Sequence, residues 1–186
     1  MLLGPSTTAA VSQDRSCARE ALLTRTIENF SSCFPSITIR VLDYVSAVNA
    51  QASRSNGERI VDIFGGLAYH PALGVDALSF SLLHEIGHHL GEGARLTPGS
   101  RLACECAADR WVILDGLPTA ARNNMDLDIN HAMSQLERAI PTIQDANDAS
   151  VSRNETCWCW DWVRRKYHLS SGDVPDVSTC LMFGPR

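Results

Sequence analysis

The stretch Ser79-Phe80-Ser81-Leu82-Leu83-His84-Glu85-Ile86-Gly87-His88-His89-Leu90 decides the reading of this chain. Leu78, Leu82, Ile86 and Leu90 recur every four residues and Leu83 widens the stripe, which is the spacing of a buried helix. On such a helix His84 and His88 stand one turn apart on one face. Two imidazoles so stacked can give two nitrogens to one zinc ion, with Glu85 placed to reach a zinc-bound water. The same five-residue pattern also arises by chance in a buried helix with polar residues at one end. A third ligand decides between the two.

Catalytic zinc usually keeps three protein ligands plus a water, so the third is a His, Glu or Asp on a second ordered element downstream. In the all-histidine pattern Gly91 falls in place, but the final position is Ala94, which removes that version. Glu92 lies four residues past His88, and its side chain would have to turn back past Gly91 from the end of the same helix. Glu105 lies in a segment from Arg101 to Val112 with strong helix formers and an apolar face that includes Leu102, Cys106 and Val112. Asp109 follows one turn later, so Glu105 can bind metal while Asp109 accepts the free ring N–H of a ligand histidine. Gly91, Gly93, Pro98 and Gly99 supply a breaker-rich turn that can fold the two helices together.

His-Glu-x-x-His followed by Glu-x-x-Ala-Asp at 105–109 resembles the gluzincin metallopeptidases, whose ligands are two histidines and a glutamate. The heat-shock membrane proteases and CAAX-prenyl proteases share the second motif. The resemblance extends upstream, where Gly57 to Leu67 is similar to the strand and glycine turn that precede the active-site helix in those proteases. Soluble bacterial proteins reading GGLA-x-HP before HE-x-GHH are also similar. It covers residues 57 to 112, under a third of the chain. It implies a zincin-like domain in which the Ile60–Phe64 strand sits at the sheet edge facing the cleft and pairs with an extended peptide. The late His-Pro and Arg that complete the site in the membrane proteases have no equivalent after Asp109.

The chain has 186 residues, 45% hydrophobic and 20% charged, as expected of one globular domain over 1–186. Net charge is −5 with no Lys/Arg block, so nothing marks a nucleic-acid or anionic-membrane partner, and acidic polymers are poor substrate candidates. Residues 1–13 read as disordered or as a leader remnant, and no run approaches the length of a membrane span. The seven cysteines, at 17, 33, 104, 106, 157, 159 and 180, favour an exported protein, periplasmic or secreted, with disulfides. The competing reading is a reduced protein with cysteines as core filler. Cys104 and Cys106 are too close along a helix to pair with each other, so their partners lie in the N-terminal helix or the tryptophan-rich tail.

Spacing predicts a helix from Asp14 to Cys33 stopped by Pro35, and a strand at Ile37, Ile39 and Val41. A second strand runs from Arg59 to Phe64, while 43–53 reads as helix or irregular crossing. Gly116-Leu117-Pro118 reads as a turn, Thr119–Ile140 as helical, Gln144–Ser152 as a polar link and Thr156–Tyr167 as an aromatic capping helix or substrate wall. The fold class is α+β: a small mixed or antiparallel sheet packed on the active-site helix, with further helices completing it.

Tyr69 either donates to a developing oxyanion or packs a strand-to-turn junction, and His70 either lines the cleft mouth or stabilises the turn before Pro71. His89 points about 100° from His88 and is not a ligand. His131 and His168 have no local company that implies chemistry. The expected function is a zinc peptidase acting on protein or peptide, with His84, His88 and Glu105 as ligands, Glu85 as general base and Asp109 behind a ligand histidine. The alternatives are a zinc-containing interaction module without turnover, and a disulfide-stapled binding domain in which the motif is accidental.

Overall fold

The structure, a computed structural model, describes residues 13–93, 95–96, 99–139 and 162–174. Helix α1 (Cys17–Cys33) opens the fold, capped by Ser16, whose hydroxyl accepts the Arg19 N–H, and ends just before Phe34 and Pro35. Strands β1 (Ile37–Leu42), β2 (Ala50–Ser55) and β3 (Glu58–Phe64) follow. A short helix α2 (Gly65–Ala68) then leads to α3 (Val75–Leu90), which carries the His-Glu-x-x-His motif. Beyond it lie α4 (Glu105–Trp111), a π-helical segment (Val112–Gly116), α5 (Leu117–Arg122), α6 (Ile129–Ala139) and α7 (Trp162–Ser171).

The sheet order is β1-β3-β2, with β1 parallel and β2 antiparallel to β3. The fold is therefore α+β with a small mixed sheet. One expectation is corrected here: the Ile60–Phe64 strand is central, not at the edge. Ile60, Val61 and Ile63 are all buried, as suits a strand covered on both sides. The edges are β1 and β2, and β2 starts inside the 43–53 stretch read as helix or crossing and runs two residues past it. Its sequence, Ala-Gln-Ala-Ser-Arg-Ser, has no β-branched or aromatic residue, but Ala50 and Ala52 let α3 approach closely. Asn56 and Gly57, both at positive φ, form the tight turn that joins β2 to β3.

Helix α3 is the axis of the core, buried continuously from Ala77 to His89 and packed against α1, α4, α6 and the sheet. Its N-terminus begins at Gly74, which offers no side-chain cap. Gln135 of α6 supplies one, its Oε1 accepting from the backbone N–H groups of Gly74 (2.9 Å) and Ala77 (3.3 Å). Buried Arg19 of α1 donates to the carbonyls of Leu67, Ala68 and Leu73, fastening the turn that leads into α3.

Two further expectations are corrected. The second site helix starts at Glu105 rather than Arg101, because Ala103 pairs across the loop with Arg95. Gly116-Leu117-Pro118 is not a turn: the chain stays helical into α5, where Pro118 sits in the first turn and has no backbone N–H to leave unbonded. Cys17 is exposed and Cys33 half-buried, both as free thiols, so the expected bridge from 104 or 106 to the N-terminal helix does not form. Cys157, Cys159 and Cys180 lie outside the described residues, as do the 144–152 link and the first half of the aromatic tail, 156–161. Of that tail, α7 packs on α6 with Leu169 in the core and Lys166 paired to Glu137 at 2.7 Å. No helix among the described residues is long and apolar enough to cross a membrane.

Candidate metal centre

The close crossing of α3 and α4 builds the site. A Cβ on Gly87 would fall 2.7 Å from the Ala108 carbonyl oxygen, so the glycine inside the motif and the small residues Ala107 and Ala108 bring the backbones together. That approach directs Glu105 and Asp109 at the histidines. His84, His88 and Glu105 each offer one ligand atom, all within 4.8 Å of one another, and all three residues are buried.

The histidine tautomers follow from their neighbours. His88 donates Nδ1–H to the carbonyl of Ala103 (2.7 Å), while the Ala103 N–H donates to the carbonyl of His88 (2.7 Å). A carbonyl only accepts, so the proton is on Nδ1 and the Nε2 lone pair faces the cluster. Burial pushes the His88 pKa down and keeps the ring neutral. Its Nε2 is buried without a hydrogen-bond partner, 3.5 Å from Glu105 Oε1. A buried lone pair beside a carboxylate is a poor arrangement unless a cation sits between them, and this residue set fits a divalent ion.

His84 sits between two carboxylates, with Nδ1 2.8 Å from Asp109 Oδ1 and Nε2 2.9 Å from Glu105 Oε2. Asp109 accepts the Nδ1–H of His84, which leaves Nε2 for a second proton or a cation. Burial opposes ionisation of Glu105, but the positive charge of His88 or His84 when either is protonated, together with the His84 hydrogen bond, outweighs it and holds its carboxyl well below the usual range. Glu105 is therefore an anion at neutral pH, as a ligand must be.

Glu85, one residue past His84, stands about 100° round α3 from it and faces strand β2. The backbone N–H of Ala52 on β2 donates to its Oε2 at 2.6 Å, while Oε1 is buried without a hydrogen-bond partner. The strand presented to the site is therefore β2, contrary to the reading that placed Ile60–Phe64 there. Sequence reasoning missed Ala52, although Asn56-Gly57 between two six- or seven-residue segments was a hairpin signal.

The remaining candidates lie elsewhere. Glu92 is exposed beyond the end of α3. Tyr69 lies under Arg15, whose guanidinium carbon is 3.5 Å from the ring centroid, and burial and then the neighbouring Asp43 push its pKa up. His70 accepts the Ala72 N–H on Nδ1 (3.1 Å), a turn-holding contact. His89 donates Nε2–H to the Ile60 carbonyl (2.9 Å), and His131 pairs with Asp76 on the surface at 2.8 Å. His168 is half-buried on α7, edge-on to Tyr167. Compared with protein families, curated proteins and solved structures, the chain gives no match, so its resemblance rests on sequence motifs alone.

Proposed function

We propose that the chain is a zinc-dependent peptidase. The observation that carries this reading is the adjacency of a buried His84-His88-Glu105 cluster to Glu85, a carboxylate with one oxygen held by strand β2 and the other buried without a partner. Zinc, when bound, supplies Lewis acidity and a water acidified to near-neutral pKa. The chain's own residues do the rest. Asp109 holds the His84 ring with its Nδ1 proton fixed, and Ala103 does the same for His88. Glu85, anchored through Oε2, takes a proton at Oε1 and passes it to the leaving amine, the general-base role its place in the motif assigns. Strand β2, which pairs along one edge only among the described residues, offers backbone groups to an extended peptide.

The complete burial of His84, Glu85 and His88 favours a second reading, a zinc-containing module without turnover. Glu85→Gln separates them. The peptidase reading expects this variant to keep its fold and metal but lose hydrolysis of an unfolded protein such as casein. Equal cleavage by the variant overturns the assigned base, and a wild type that binds zinc but cleaves nothing leaves the module.

A further inference from the structure

At the C-terminal end of α3, beside His89, lies a cavity of about 370 Å³ whose lining includes four arginines, Arg54, Arg59, Arg95 and Arg101. The only acidic residue lining it is Glu92, which is exposed and forms no ion pair among the described residues. Arg54 Nε is buried without a hydrogen-bond partner, as is His89 Nδ1. Burial, and then the charges of Arg59, Arg101 and Arg95, push the Arg54 pKa down. Four guanidinium groups around one cavity, one with a buried unpartnered N–H and all facing a single exposed carboxylate, leave an excess of positive charge there in a protein whose net charge is −5.

Arg54 follows Ala52 by two residues along β2, about 7 Å on the same face. His89 follows Glu85 by four residues, about 6 Å along α3. Both routes lead from the Glu85–Ala52 contact to the cavity within the span of one or two peptide residues. Guanidinium forks match carboxylates in plane and spacing.

We infer that this cavity is a carboxylate subsite, binding the acidic side chain or the free C-terminus of a peptide laid along β2. Its link to cleavage rests on the peptidase reading, but the binding itself does not. Net charge alone marked acidic polymers as poor substrate candidates; the fold concentrates positive charge locally, around this one cavity.

The test is titration calorimetry at low ionic strength on the Glu85→Gln protein with three peptides. These are acetyl-Ala-Ala-Glu amide, acetyl-Ala-Ala-Ala with a free carboxyl end, and acetyl-Ala-Ala-Ala amide. At least one of the two acidic peptides should bind about tenfold or more tightly than the neutral amide. The Glu amide alone binding tightly assigns the site to a side chain; the free acid alone assigns it to a C-terminus. The preference should fall in Arg54→Ala and also in Arg101→Ala, whose side chain is exposed and removable without loss of packing. Equal binding of all three peptides, no binding of any, or a preference unchanged in both variants overturns the inference. Acid preference in a protein that holds no zinc leaves the subsite standing and removes the peptidase, whereas zinc-dependent cleavage without acid preference does the reverse.

Discussion

Gly87 lies against Ala108 so closely that a single added carbon would stand 2.7 Å from the Ala108 carbonyl oxygen. That contact sets the distance between α3 and α4, and so the distance between two histidines and a glutamate that approach only where these helices cross. Alanine normally improves a helix interior by about 1 kcal/mol relative to glycine. Here the clash is with backbone, which cannot rotate away, and overpacking of this kind costs about 1–3 kcal/mol. Gly87→Ala should therefore lower the melting temperature and weaken zinc binding together. A more stable variant with unchanged zinc affinity would show that the crossing tolerates the methyl group.

Asp109→Ala removes the carboxylate 2.8 Å from His84 Nδ1. Loss of such an outer partner commonly weakens a metal site about 10- to 100-fold while leaving the ligand count unchanged. Competition against a chelator of known affinity measures the change. Unaltered affinity would make Asp109 a packing residue of α4.

Much of this site was legible because its members are close in sequence and regularly spaced. The four-residue repeat of Leu78, Leu82 and Ile86 marked α3, and the four-residue step from Glu105 to Asp109 marked the partner helix. Strand β2 was not legible from side-chain pattern: Ala50 and Ala52 are chosen for closeness to α3, not for strand propensity. The arginine cavity escaped because residues 54, 59, 95 and 101 form no block and meet only through the hairpin and the loop after α3. Gln135 and Arg19 escaped for a related reason, since each satisfies backbone groups more than 45 residues away.

Arg19→Ala tests that last point. Arg19 is buried, and its three carbonyl partners, on Leu67, Ala68 and Leu73, sit in the turn before α3. Leaving them without donors should cost about 2–4 kcal/mol in urea unfolding. A cost under about 0.5 kcal/mol would place the side chain among ordinary surface substitutions.

Burial lowers the pKa values of His70, His88 and His89 from 6.5. In the unfolded chain these rings take up protons near pH 6.5, whereas in the fold they do so only at lower pH. The unfolded state therefore binds more protons below that point, and stability falls with falling pH. For the metal-free protein, the urea midpoint should be full above pH 6.5 and decline from there toward the lowered folded values. A midpoint that rises between pH 7.5 and 5.5 would contradict the neutral burial of these rings.

The central claim is that His84, His88 and Glu105 together hold one zinc ion. Elemental analysis of purified wild-type protein beside Glu105→Gln tests it without any substrate. The wild type should carry about one zinc per chain, and Glu105→Gln, which removes one of three protein ligands, should lose most of it while remaining folded. Wild-type protein free of zinc after purification without chelators, or a Glu105→Gln protein that keeps a full equivalent, would contradict the account.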